Sequence, residues 1–157
     1  MQQPITALRL ASELVRRRRE RGLSDPTNLE LQKLAYFCHG WHLALLGRPL
    51  VNEEFEAWRF GPVLPSIYHT FKVFSSNPIP CEHPLVMSEQ PLDRLSDSSQ
   101  VIDRVLDVYG RASGFDLVNM SHAADGPWAK AWNGSNFSSA IDDGEIHRYF
   151  AAQSARA

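Results

Sequence analysis

Between Leu31 and Tyr68 the apolar residues recur first at helical and then at strand spacing, and the change of period divides the segment into elements. Leu31, Leu34, Ala35, Cys38, Trp41, His42 and Leu45 converge on one side of a helix, while Tyr36 and Leu43 project from another. A helix with so few polar faces is expected at the centre of a core. Its limits are written locally. Thr27-Asn28-Leu29-Glu30 is a capping-box pattern in which hydroxyl and carboxylate satisfy free backbone donors reciprocally. Gly47 can end the helix in a left-handed conformation, and Pro49 prevents its continuation. Phe55 to Phe60 then alternates as a short strand, Gly61-Pro62 is expected to turn the chain, and a helix resumes near Pro65 with Ile67, Tyr68, Phe71 and Phe74 on its apolar side.

The same reading extends to both sides of this segment. From Ile5 to about Arg21, Leu8, Ala11 and Val15 share a face with Ala7 and Leu14 beside them, and Arg9, Ser12 and Arg16 lie opposite. The run Arg16, Arg17, Arg18, Arg19 and Arg21 complements the negative helix end and is expected to be a solvated terminus, with Gly22 as the stop. Residues 75–95 hold Pro78, Pro80, Pro84 and Pro91 among polar residues, which predicts a surface loop or an extended arm. Ser98 or Ser99 can cap a helix to Tyr109 that buries Val101, Ile102, Val105 and Leu106. Short helices are expected over Phe115 to His122 and Trp128 to Trp132. A last helix, capped by Asp142 or Asp143, should bury Ile146, Tyr149 and Phe150, and 151–157 reads as a flexible tail. The expectation is one mainly α domain over 1–157, core about 5–150, with a short β-strand or hairpin near 54–60.

Composition narrows the classes. A chain of 157 residues can bury a full core without a metal or disulfide, and 43% hydrophobic with 22% charged residues is ordinary for a globular protein. The net charge of -2 gives no global attraction to nucleic acid, so a nucleic-acid partner is not expected. Two cysteines, no leader-like amino terminus and no apolar run near the roughly 20 residues of a membrane span suggest a cytoplasmic protein without a membrane partner.

Candidate chemistry is sparse. Cys38 and His42 stand one helical turn apart and could meet Cys81 and His83 around zinc, but on an apolar face they read better as core residues. No phosphate loop, nucleophile elbow or metalloprotease helix is present, and neither a cofactor nor a catalytic group is expected. His122 is the best catalytic candidate by residue type, yet it has no partner placed by sequence. Trp41, Trp58, Trp128 and Trp132, with Tyr36, Tyr68 and Phe60, supply rigid aromatic surface of the kind that anchors interfaces. Trp58 and Arg59 are the preferred anchors, because alternation in a short strand aims one of them outward.

The ordered blocks Leu31-Gln32-Lys33-Leu34-x-Tyr36-Phe37, Gly40-Trp41, Gly47-Arg48-Pro49-Leu50, Glu56-Ala57-Trp58-x-x-Gly61-Pro62-Val63 and Tyr68, followed by Ser121-His122 and Pro127-Trp128, resemble the Panacea antitoxin domain family, also described as SocA-like or phage-associated GepA-like. The resemblance covers roughly residues 5 to 150. Cys38-His39 departs from the commoner small residue and Gln, and Ser121 stands where Thr is usual. The resemblance implies a mainly helical, bacterial or phage-borne antitoxin that binds and neutralises a protein toxin encoded beside it. It would act by occlusion or as an adaptor delivering the toxin to an ATP-dependent Clp-type protease. Partner-binding candidates are Trp58, Arg59, Phe60, Tyr68, His122 and Trp128. Two other readings stand beside it: a DNA-binding autoregulator using Arg16–Arg21, and a small enzyme centred on His122.

Overall fold

The structure, a computed structural model, describes residues 3–134 and 139–156. Its axis is α2 (Asn28–Leu46), which is buried from Leu31 through Gly40 on every face. The predicted capping box is present: Glu30 N–H donates to Thr27 Oγ1 at 3.1 Å and Thr27 N–H to Glu30 Oε1 at 3.0 Å. Gly47 ends the helix in the left-handed region at φ 72°. Against α2 pack α1 (Ala7–Glu20), α3 (Pro65–Phe71), α5 (Asp97–Tyr109), α6 (Gly114–Ser121) and α8 (Asp143–Arg156), while the short α4 (Pro84–Met87) lies on α1 and α7 (Pro127–Ala131) lies on α8. The mainly α architecture is as expected.

The central packing is aromatic. Phe37 stacks on Tyr109 at 4.4 Å, and Tyr36 meets Phe55 and Phe150 edge-on at 5.6 and 5.5 Å. Phe150 lies so close to α2 that a Cβ on Gly40 would stand 2.2 Å from its Cε2. Cys38 is buried in the same core, where desolvation pushes its thiol far above the ordinary range.

Three short strands form an antiparallel sheet in the order β2-β1-β3, with β1 Phe55–Trp58, β2 Gly61–Val63 and β3 Ser139–Ile141. Trp58 pairs with Gly61, so the hairpin turns at Arg59-Phe60 and not at Gly61-Pro62 as the sequence suggested. Pro62 is accommodated because β2 is an edge strand, where one missing N–H is harmless. Strand β3 pairs Ile141 with Phe55 and was not expected; three residues carry too little periodicity to announce it.

The basic run is corrected most. Arg17 is fully buried: its Nε donates to Glu13 Oε1 at 2.8 Å, its Nη2 to Ser99 Oγ at 2.6 Å, and its Nη1 to Asp103 Oδ1 at 3.0 Å. Arg18 is buried as well and donates to the Ser24 carbonyl at 3.0 Å, while Arg19 pairs with Asp25 and Arg21 with Asp107. Ser12, expected on the wet face, is buried too. Long arginine stems pack along apolar surface while the head finds partners across the fold, which a one-dimensional polarity pattern cannot register.

The proline-rich segment is a strap. Arg16 donates to the Val86 carbonyl at 2.8 Å and Arg9 to the Gln90 carbonyl at 2.8 Å, while Leu92 N–H donates to Glu13 Oε2 at 3.0 Å. Ile79, Val86 and Leu92 of this segment are buried, so residues 75–95 follow a surface course but are bound along α1. Two smaller differences concern helix ends. Ser96, not Ser98 or Ser99, caps α5, accepting from Ser99 N–H at 3.2 Å. Helix α8 continues through Arg156 where a flexible tail was expected, in keeping with the helix propensity of its alanines; Ala157 lies outside the described residues.

Candidate functional site

The first turns of α2 carry polar residues that face inward. Asn28 Nδ2 donates to the Tyr68 carbonyl at 3.2 Å, and the Gln32 amide bridges Leu64, accepting from its N–H at 2.8 Å and donating to its carbonyl at 3.3 Å. Lys33, fully buried, donates from Nζ to the Pro62 carbonyl at 2.9 Å. Burial without a counter-charge lowers its pKa to about 7. These three side chains bind the β1-β2 hairpin and α3 to the central helix. Gly61 completes the joint at φ 111°, where a Cβ would stand 2.7 Å from Lys33 Cε and 2.8 Å from Ser121 Oγ. Asn28, Gln32 and Lys33 stand in the capping-box and family blocks of the sequence but were not expected at the site; the available signal was polar residues at the head of an otherwise apolar helix.

The joint leaves a groove of about 900 Å³, open to solvent, between the amino-terminal end of α2, the hairpin, α3 and the start of α6. Trp58, Arg59, Phe60 and Tyr68, four of the six expected partner-binding residues, line it. The Trp58 indole donates to Glu56 Oε1 at 2.9 Å and meets Tyr68 edge-on at 4.9 Å, which fixes both rings. Phe60 is 59% exposed at the tip of the hairpin, with the Arg59 guanidinium 5.3 Å from its ring centroid. Leu29 and Tyr68 add exposed apolar surface at the rim.

The other two candidates stand behind the hairpin. His122 stacks on Trp128 with ring centroids 3.7 Å apart, and Trp128 Nε1 donates to the Trp58 carbonyl at 2.6 Å. Desolvation, aided by the Lys33 charge, lowers the His122 pKa, so its imidazole is neutral at pH 7. Among the described residues His122 Nε2 is buried without a hydrogen-bond partner.

The zinc quartet does not assemble. His42 Nδ1 donates to the Arg48 carbonyl at 2.7 Å and its Nε2 accepts from Ser98 Oγ at 2.8 Å, so both ring nitrogens are engaged within the core. His83 Nδ1 caps α4, accepting from Leu85 N–H at 3.1 Å. Among the described residues no three His, Cys, Asp or Glu side chains are grouped to hold a metal ion, and no helix is long and apolar enough to cross a membrane.

Fold and site together define a mainly helical domain that locks a hairpin to its central helix and presents an aromatic groove beside it. The chain belongs to the antitoxin SocA-like, Panacea domain family, whose family model matches residues 31–129. That range begins at the first buried leucine of α2 and contains all six expected partner-binding residues. The chain is 42% identical over 118 residues to antitoxin SocA of Caulobacter vibrioides (strain NA1000 / CB15N), an alignment covering 69% of this chain and 61% of the relative. No solved structure matches it.

Proposed function

We propose that this chain is an antitoxin that binds and neutralises a protein toxin encoded beside it, receiving the toxin in the groove at Trp58, Arg59, Phe60 and Tyr68. The observation that carries the reading is the convergence of these four residues, in a member of an antitoxin family, on one solvent-open groove. Aromatic side chains and arginine dominate the energetics of protein interfaces. Lys33, Gln32 and Trp128 brace the hairpin from within, so little ordering cost remains to oppose binding. In this reading His122 and Trp128 position the hairpin and do not touch the toxin. The autoregulator reading is weakened by the burial of Arg17 and Arg18, and the enzyme reading by the lack of any hydrogen-bond partner for His122 Nε2 among the described residues.

Co-expression with the adjacent reading frame tests the proposal. The neighbour should arrest growth alone and lose its effect when this chain is present; a neighbour that is harmless, or equally toxic in its company, defeats the reading. Toxin half-life in cells with and without the Clp-type protease separates the two routes. Neutralisation by occlusion leaves the half-life unchanged, and adaptor action shortens it only where the protease is present.

A further inference from the structure

The groove is cationic in a chain whose net charge is -2. Arg59 on the hairpin and Lys72 after α3 are both exposed on its walls. Each ion pair among the described residues has at least one member on α1, at Arg21 just after it, or in the first turn of α8, and neither Arg59 nor Lys72 takes part in one. Glu30, the acid that lines the groove, and Glu56 on the neighbouring strand are already engaged, and Asp116 in the first turn of α6 is exposed nearby. Glu30 accepts from Thr27 N–H at 3.0 Å and lies 3.6 Å from Arg18, and Glu56 accepts the Trp58 indole N–H at 2.9 Å. The amino-terminal ends of α2 and α6 open on the same space, where Glu30 and Asp116 in their first turns offset the partial positive charge of the helix ends, so the cationic character rests on Arg59 and Lys72.

On the reading of the groove as the toxin-binding surface, we infer that it takes an acidic segment of the protein partner, whose carboxylates pair with Arg59 and Lys72 while an apolar side chain packs on Phe60 and Tyr68. The Arg59 guanidinium lies 5.3 Å from the Phe60 ring centroid and forms no ion pair among the described residues, which leaves its donors for a carboxylate. Nucleic acid fits less well. A phosphate backbone is held by a row of cations, and two cations flanking an apolar wall offer few such contacts. The Trp58 ring, packed by Tyr68 and tethered to Glu56, is not splayed as a base-stacking platform.

The test is titration of the full-length chain with the protein encoded by the adjacent reading frame, at low salt and at about 0.5 M salt. The double variant Arg59→Glu/Lys72→Glu should raise Kd at least about tenfold at low salt and flatten the salt dependence, with an unchanged melting temperature because both side chains are exposed. Arg104→Glu on α5, outside the groove, should leave Kd as it is. A lysine introduced at the matching acidic residue of the partner should restore binding to the reversed groove. If the wild type binds and the double variant binds equally well, the acidic-segment inference is wrong and the antitoxin reading survives. If the wild type does not bind its neighbour at all, both fall. Binding of a DNA duplex, lost in the same double variant, would assign the groove to nucleic acid and overturn the inference.

Discussion

Trp128 Nε1 donates to the Trp58 carbonyl at 2.6 Å, so the block of sequence after residue 120 holds the strand that carries the groove's central indole. Two tryptophans that look alike in sequence therefore divide the work: one lines the groove and the other fixes the backbone of the first. Trp128→Phe keeps the stacking on His122 and removes the donor. It should cost about 1–3 kcal/mol in urea unfolding, because the Trp58 carbonyl loses its partner in a half-buried setting. An unchanged midpoint would show that water replaces the indole without loss.

Lys33 predicts a pH dependence of stability. Its folded pKa near 7 lies below the unfolded value near 10.4, so between these limits the unfolded chain binds more protons than the native one. Stability therefore rises with pH through that window. Measured against Lys33→Met, the unfolding free energy of the wild type should climb from pH 7 to pH 10 by on the order of 4 kcal/mol at most. A difference that stays flat would mean that the amine remains charged inside the fold at neutral pH.

Gly40→Ala should destabilise by roughly 1–3 kcal/mol, although alanine is the better helix former, because its Cβ would fall 2.2 Å from Phe150 Cε2. The penalty should shrink when Phe150→Leu is added, since two substitutions in direct contact do not add. Thermal melts of the two single variants and the double variant decide this; strict additivity would place the clash elsewhere.

Phe60→Ala and Arg59→Ala remove exposed side chains at the hairpin tip. Each should weaken toxin binding by about 2 kcal/mol, read as Kd by calorimetry, with no loss of cooperativity in unfolding. Equal affinities for variant and wild type would remove the hairpin tip from the interface.

The parts of the fold that were legible in the sequence are those decided by neighbouring residues. The Thr27–Glu30 box and Gly47 fix both ends of α2 through local backbone chemistry, and they stand where the sequence places them. The groove was half legible for the same reason. Trp58, Arg59, Phe60 and Tyr68 lie within eleven positions, whereas the facing wall at Ser113 and Gly114 is brought there only by folding. Arg17 was misread because its polarity, taken alone, points to water. The groups that bury it, Ser99 and Asp103, are more than eighty residues away. Strand β3 likewise depends on β1 for its partners and carries no signal of its own.

The contact between Phe150 and Gly40 has a consequence for how the protein is made. Phe150 closes the aromatic core around Tyr36, Phe37 and Trp41, yet it is translated more than a hundred residues after Gly40. Synthesis at about 5–20 residues per second leaves α2 without this lid for several seconds. Until then the apolar surface that Phe150 covers has no partner from α8, the kind of transient exposure that favours aggregation. A chain that stops short of α8 would leave Tyr36, Phe37 and Trp41 without the ring that closes over them.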